Sequence, residues 1–150
     1  MRQLSIPELL ASPPRGIAPT EALDVYDIFC GCGGFSHGAA RAGHRVAFAA
    51  DNNPDALYVH AANHPDCVHM VAPMPSCNIP FPRDGRSWHL HGSPPCQLFS
   101  TMRTRSKAAN ASDDRERAEA LVVWYLNTAL SSGATSWSME QVPAQKILDI

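Results

Sequence analysis

Leu23-Asp-Val-Tyr-Asp-Ile-Phe29, running directly into Cys30-Gly-Cys-Gly-Gly34, is the stretch on which the fold turns. Its first half is β-branched and aromatic, the composition of a central strand. Gly31, Gly33 and Gly34 then allow a tight turn whose backbone amides approach a ligand closely. The spacing predicts a short helix from Phe35 to Ala42, capped by Gly43. Arg45 to Ala50 reads as a second apolar strand ending at Asp51. Asn53 suits an N-cap and Pro54 the first helical position, so a helix is expected from Pro54 to Asn63. Strand, helix, strand, helix is the alternation of a parallel sheet with helices on its faces.

Further along, Val68 to Val71 is a short strand, and Pro73, Pro75, Pro80 and Pro82 make the stretch after it a loop. Ser87 to His91 forms a fourth strand that delivers Gly92-Ser-Pro-Pro-Cys-Gln-Leu-Phe-Ser100. Pro94 and Pro95 cannot donate to a sheet, so the strand stops and Cys96 stands on a stiff turn at its carboxyl end. A single cysteine is more often a small buried hydrophobe than a nucleophile. Thr101 to Ser112, with Arg103, Arg105 and Lys107, is polar and loop-like. A long helix is predicted from Asp113 to Ser132, capped at Ser112 or Asp113 and stopped by Gly133. Thr135 to Glu140 is a fifth strand, inside Ser138-Met-Glu-Gln-Val-Pro143.

A chain of 150 residues supports one domain. We assign residues 1–21, with Pro7, Pro13, Pro14 and Pro19, to a lead-in and residues 22–150 to the domain. No apolar run approaches the roughly 20 residues of a membrane span, and no leader peptide is evident. The expected location is intracellular, without a membrane partner. Five cysteines without a Cys-x-x-Cys pair give no disulfide framework. Cys67-Val-His69 and His89-Leu-His91 are candidate ligand pairs, but no second pair has zinc-site spacing, so no metal is expected. A formal net charge of −2 means that any grip on a polyanion is local or supplied elsewhere.

Taken together, the glycine turn, Asp51-Asn52-Asn53-Pro54, the Pro-Pro-Cys-Gln element and the Met-Glu-Gln-Val-Pro element resemble, in order and spacing, the catalytic half of the C5-cytosine DNA methyltransferases, over Val25 to Val142. The resemblance implies a Rossmann-like S-adenosylmethionine-dependent methyltransferase fold: a mostly parallel sheet with helices on both faces, cut short after about the fifth strand. It implies S-adenosylmethionine as cofactor, with Phe29 beside the adenine, Gly31, Cys32, Gly33 and Gly34 along the methionine end, and Asp51 on the ribose. Asn52, Met70 and Pro94 complete the expected cofactor contacts. Asn52 stands where the family often has an apolar or aromatic residue, and His69-Met70-Val71 lacks the family's acid after the third strand.

The same resemblance makes Cys96 the nucleophile that adds to cytosine carbon 6 and Glu140 the acid that hydrogen-bonds ring nitrogen N3. Pro95, Gln97, Ser100, Arg103 and Arg105 then face the substrate, a cytosine flipped out of duplex DNA. Elements found later in the family's chains, including an Arg-x-Arg motif and a target-recognition domain, are not in this sequence. The expectation is one half of a split enzyme completed by a second polypeptide, a truncated product, or a fragment. Two other functions remain open at this level: a tRNA cytosine-5 methyltransferase of the same family, and a non-catalytic module that binds cofactor or partner.

Overall fold

The computed structural model describes residues 21–96 and 111–142, with side chains from 116 onward in the second stretch. Five strands and three helices succeed one another as β1 (Asp24–Ile28), α1 (Gly34–Arg41), β2 (Arg45–Asp51), α2 (Pro54–Asn63), β3 (Val68–Val71), β4 (Trp88–Gly92), α3 (Ala111–Ser131) and β5 (Ser136–Met139). The strands form one sheet in the order β3-β2-β1-β4-β5, every pairing parallel. The chain thus winds outward from β1 to β3, then returns to β4 on the other side of β1. Strand order reverses between β1 and β4, and open α/β sheets bind ligands outside the carboxyl ends at such a switch point.

Element ends differ from expectation by a residue or two, for identifiable reasons. Strand β1 ends at Ile28 rather than Phe29, because Phe29 takes a left-handed φ of 59° that no strand continues. Strand β4 runs one residue past His91, and Ser93 N–H still donates to the Ile28 carbonyl before Pro94 ends the ladder. Helix α2 has the predicted bounds, and Asn53 Oδ1 accepts from the Asp55 and Ala56 amides as an N-cap should. Helix α3 begins at Ala111, so Ser112 and Asp113 lie inside it rather than capping it. Gly43 and Gly133, at φ of 91° and 79°, end α1 and α3 as expected.

The two faces of the sheet are packed differently. Ile28, Phe48, Ala50, Trp88 and Leu90 bury against Tyr125 and Ala129 of α3, with Phe81 stacked on Trp88 and Tyr26 meeting it edge-on. Each such large side chain contributes about 1.5–3 kcal/mol on removal from water. On the opposite face, Val46 and Ala49 meet Leu57 of α2, with Cys30 and Cys67 alongside. That face also carries buried polar groups, Asp27, Ser36, His60 and His91. No helix among the described residues is long and apolar enough to cross a membrane.

Candidate active site

Parallel register lines up the sheet's carboxyl edge. Met70, Ala50, Ile28, Gly92 and Met139 pair across successive strands as one row. The residues one step further along are Val71, Asp51, Phe29, Ser93 and Glu140. Strands lie about 4.8 Å apart, so Asp51 and Glu140 stand three spacings, roughly 14 Å, from each other along this edge. The edge therefore brings together three of the sequence-derived elements: the glycine turn, the acid after β2 and the acid after β5. The Cys96 turn leaves from the middle of the same edge.

Asp51 is almost buried, and its two carboxylate oxygens are each held at 2.8 Å by a backbone amide, Gly31 N–H on Oδ2 and Asn53 N–H on Oδ1. The acid at the end of β2 thus braces the turn after β1. Each oxygen keeps a second lone pair for another donor. A side-chain carbon added at Gly31 or Gly34 would meet nothing within 4 Å, so the backbone there lies open to a ligand. Gly33 is different: its φ is 95°, and an added carbon would come 2.9 Å from the His60 ring. Cys32 and Asn52 are exposed beside the turn, and Met70 is partly buried against the core. Phe29 is half-buried, its ring meeting Trp124 of α3 edge-on at 5.9 Å.

Pro94 is fully buried, Pro95 exposed and Cys96 half-buried. Glu140 is exposed, and its N–H donates to the Gly92 carbonyl at 3.0 Å, extending the β4–β5 ladder past the end of β5. Gln141 adds a link that sequence reasoning missed: its Nε2 donates to the Pro94 carbonyl at 3.1 Å, tying the Glu140 element to the Cys96 element. His91 makes a second link on the sheet face, its Nδ1 2.8 Å from Ser138 Oγ and its Nε2 3.0 Å from Ser93 Oγ. Burial, with His89 adding, pushes this imidazole down to about 4, so it is neutral at physiological pH. Both links join residues 47 positions or a strand apart, and no local pattern announces them. Gln97, Ser100, Arg103 and Arg105 lie outside the described residues.

Beneath the glycine turn, Ser36 Oγ–H donates to Asp27 Oδ2 at 2.7 Å, on a carboxyl that is 1% exposed. Burial pushes Asp27 up to about 7 from its ordinary 3.8, hydrogen bonds from Ser36 opposing and Asp51 adding. The folded state therefore binds more protons than the unfolded state between these values, and stability falls as pH rises through them. Asp27→Asn, which keeps the shape without the charge, is expected to gain stability over the parent from about pH 4 to pH 7 and level off above. Denaturant unfolding at pH 4.5 and pH 8 checks this; an equal difference at both pH values contradicts it.

A cavity of about 410 Å³ lies under the last turns of α3, lined by Cys77, Phe81, Arg83, Trp124, Thr128 and Gly133 among others. None of the described sequence-derived site residues lines it.

Residues 23–123 match the profile of the family described as C-5 cytosine-specific DNA methylase. The chain is 34% identical over 85 residues to the Type II methyltransferase M.AgeI of Thalassovita gelatinovora, a match covering 53% of this chain and 20% of that protein. Among solved structures it is similar, at a TM-score of 0.62 and 27% identity, to a candidate DNA modification methyltransferase encoded within a prophage (E. coli), over 85% of this chain and 36% of that one. The chain thus spans about a fifth and about a third of these two relatives. With the profile match covering well over half of its length, and the parallel sheet and glycine turn of the kind this match requires, the chain belongs to the C-5 cytosine-specific DNA methylase family.

Proposed function

We propose that residues 22–150 are the cofactor-binding and nucleophile-bearing part of a DNA cytosine-5 methyltransferase. The observation that carries this reading is the shared carboxyl edge: an amide-braced Asp51 beside an open glycine turn, and the Cys96 and Glu140 elements tied together by Gln141. S-adenosylmethionine, when bound, supplies an electrophilic methyl group on a sulfonium. The residues present fit it. Asp51 offers its free lone pairs to the ribose hydroxyls, Gly31 and Gly34 admit the methionine end, and Phe29, Asn52, Met70 and Pro94 stand along the adenosine side.

Carbon 5 of cytosine is too weak a nucleophile to accept a methyl group unaided. In this reading the Cys96 thiolate forms a bond to carbon 6, and the electron pair displaced from the 5,6 double bond makes carbon 5 nucleophilic. Glu140 hydrogen-bonds N3 through a proton shared between them and offsets the charge that builds on the ring. After methyl transfer, solvent water takes the carbon 5 proton, the electron pair left behind re-forms the 5,6 double bond, and the sulfur–carbon 6 bond breaks to return the Cys96 thiolate. The Gln141–Pro94 hydrogen bond and the Ser93–His91–Ser138 bridge hold the two elements in register during these steps. The base must leave the duplex for the thiol to reach it.

The acidic balance of the chain and its short span against its relatives support a further element of the proposal. DNA reading falls to a second polypeptide or to further chain, and methylation requires it. Incubation with labelled S-adenosylmethionine and either duplex DNA or tRNA, with and without candidate partner chains, tests the function. Label transfer to DNA cytosine in the complemented reaction is the expected result; transfer to tRNA alone, or to neither substrate, contradicts it.

Asp51→Ala is expected to weaken S-adenosylmethionine or its demethylated product by roughly ten- to a hundredfold, since charged hydrogen bonds are worth about 1.5–3 kcal/mol. Calorimetry giving unchanged affinity would remove Asp51 from the site.

A further inference from the structure

We infer that His60, Cys67 and His69 form a binding site for a divalent transition metal ion of the zinc class, beneath the glycine turn. One ligand atom from each lies within 4.8 Å of the other two, and His60 and Cys67 are buried. His60 lies in the last turn of α2, Cys67 precedes β3 and His69 lies on it, so three consecutive pieces of chain converge on the point. The pairing is not the one that sequence spacing offers: Cys67-x-His69 finds its partner in the helix upstream.

Hydrogen-bond bookkeeping fixes the direction of the lone pairs. Ser36 gives its hydroxyl proton to Asp27, so at 3.0 Å its oxygen accepts from His60 Nε2–H. His60 Nδ1 is then a bare lone pair, and it points at His69 Nε2 only 2.8 Å away. Without an ion, one proton must sit between those two nitrogens. A metal takes the place of that proton. A carboxylate–hydroxyl–histidine chain behind a ligand nitrogen is the support that metal-bound histidines ordinarily have, and it orients the ring and raises its basicity.

The donor set selects the ion. Two imidazoles and a thiolate suit zinc and its borderline neighbours and do not suit magnesium or calcium. Zinc bonds of about 2.0–2.3 Å place tetrahedral ligand atoms roughly 3.3–3.7 Å apart. The two nitrogens must therefore part by about half an ångström, while the widest separation, at most 4.8 Å, closes by about one. His64 borders the site one helical turn beyond His60, its ring centroid 4.8 Å from the His60 ring and its Nε2 buried without a partner. An ion here would pin the end of α2 to edge strand β3. Because the His60 ring lies against Gly33, it would also stiffen the floor of the glycine turn.

Cobalt titration of the full-length, metal-stripped chain tests the site. Intense tetrahedral visible bands and a thiolate-to-cobalt charge-transfer band are expected at one equivalent, with zinc displacing the cobalt. Cys67→Ser should abolish the charge-transfer band, and both Cys67→Ser and His69→Gln should lower zinc affinity by at least about tenfold. Cys32→Ser and Cys77→Ser, which alter more accessible thiols, should change neither. Zinc should raise the melting temperature of the parent and not that of Cys67→Ser, whose circular dichroism in chelator reports whether it is folded. Absence of tetrahedral bands in the parent, or bands that survive Cys67→Ser and vanish in Cys32→Ser or Cys77→Ser, would overturn the inference.

Discussion

Cys96→Ser is expected to reduce methyl transfer by the complemented enzyme by about a thousandfold or more. A thiol is a few per cent ionised at neutral pH and intrinsically nucleophilic, whereas a serine hydroxyl without an activating base is neither. Cys96 is half-buried on the turn leaving β4, whose Gly92 carbonyl accepts from Glu140 N–H, whereas the exposed Cys32 sits on the glycine turn after β1. Cys30 and Cys67 are buried, and burial raises both thiols, Cys67 to about 12, which removes them as neutral-pH nucleophiles in the ion-free chain. Cofactor affinity of Cys96→Ser should match the parent, because the thiol acts on the base. Steady-state turnover and calorimetry together separate the two effects; a variant that keeps turnover within tenfold would contradict the assignment.

Gly92→Ala is expected to destabilise the fold by about 3 kcal/mol, the upper end of the usual cost of overpacking. A carbon added there would sit 2.2 Å from Tyr125 Cε2 and 2.5 Å from Cδ2, far inside contact distance. The ring has no easy retreat, since Tyr125 is fully buried and its hydroxyl donates to the Ser138 carbonyl at 2.7 Å. The strain therefore reaches the end of β5, two residues before Glu140. Pairing the change with Tyr125→Leu should recover part of the loss, which ordinary additivity would not allow. Urea unfolding of the two single variants and the double variant measures this; a Gly92→Ala cost below about 1 kcal/mol would mean the ring yields freely.

The sheet was legible in the sequence because its signals are local. Val25 to Ile28, Val46 to Ala50 and Trp88 to Leu90 are short, mostly apolar runs, each closed by a turn residue of distinct chemistry, so the number of strands and their succession along the chain emerge from the sequence, whereas their order in the sheet does not. Strand ends were less legible, since Phe29 leaves the sheet through a left-handed φ that nothing in its side chain announces. The start of α3 was also less legible, since Ser112 and Asp113 read as caps yet lie inside the helix.

At the candidate site, the residues with distinctive chemistry stood out, Asp51, Cys96 and Glu140, and the sheet register brings their elements to one edge. The contacts holding them there were hidden. The bonds from Gly31 to Asp51, from Gln141 to Pro94 and from His91 to Ser138 link residues 20 to 47 positions apart. Such contacts depend on tertiary register and leave no periodic trace. The cluster of His60 with Cys67 and His69 was hidden in the same way, one ligand lying on a helix and two around a strand.

The most direct measurement of the central claim is covalent trapping. DNA carrying 5-fluorocytosine cannot lose its carbon 5 substituent as a proton, so the complemented enzyme with S-adenosylmethionine should remain joined to it. Peptide mapping by mass spectrometry should place the adduct on Cys96. An adduct on Cys30, Cys32, Cys67 or Cys77, or none from a complex that methylates ordinary cytosine, would contradict the account.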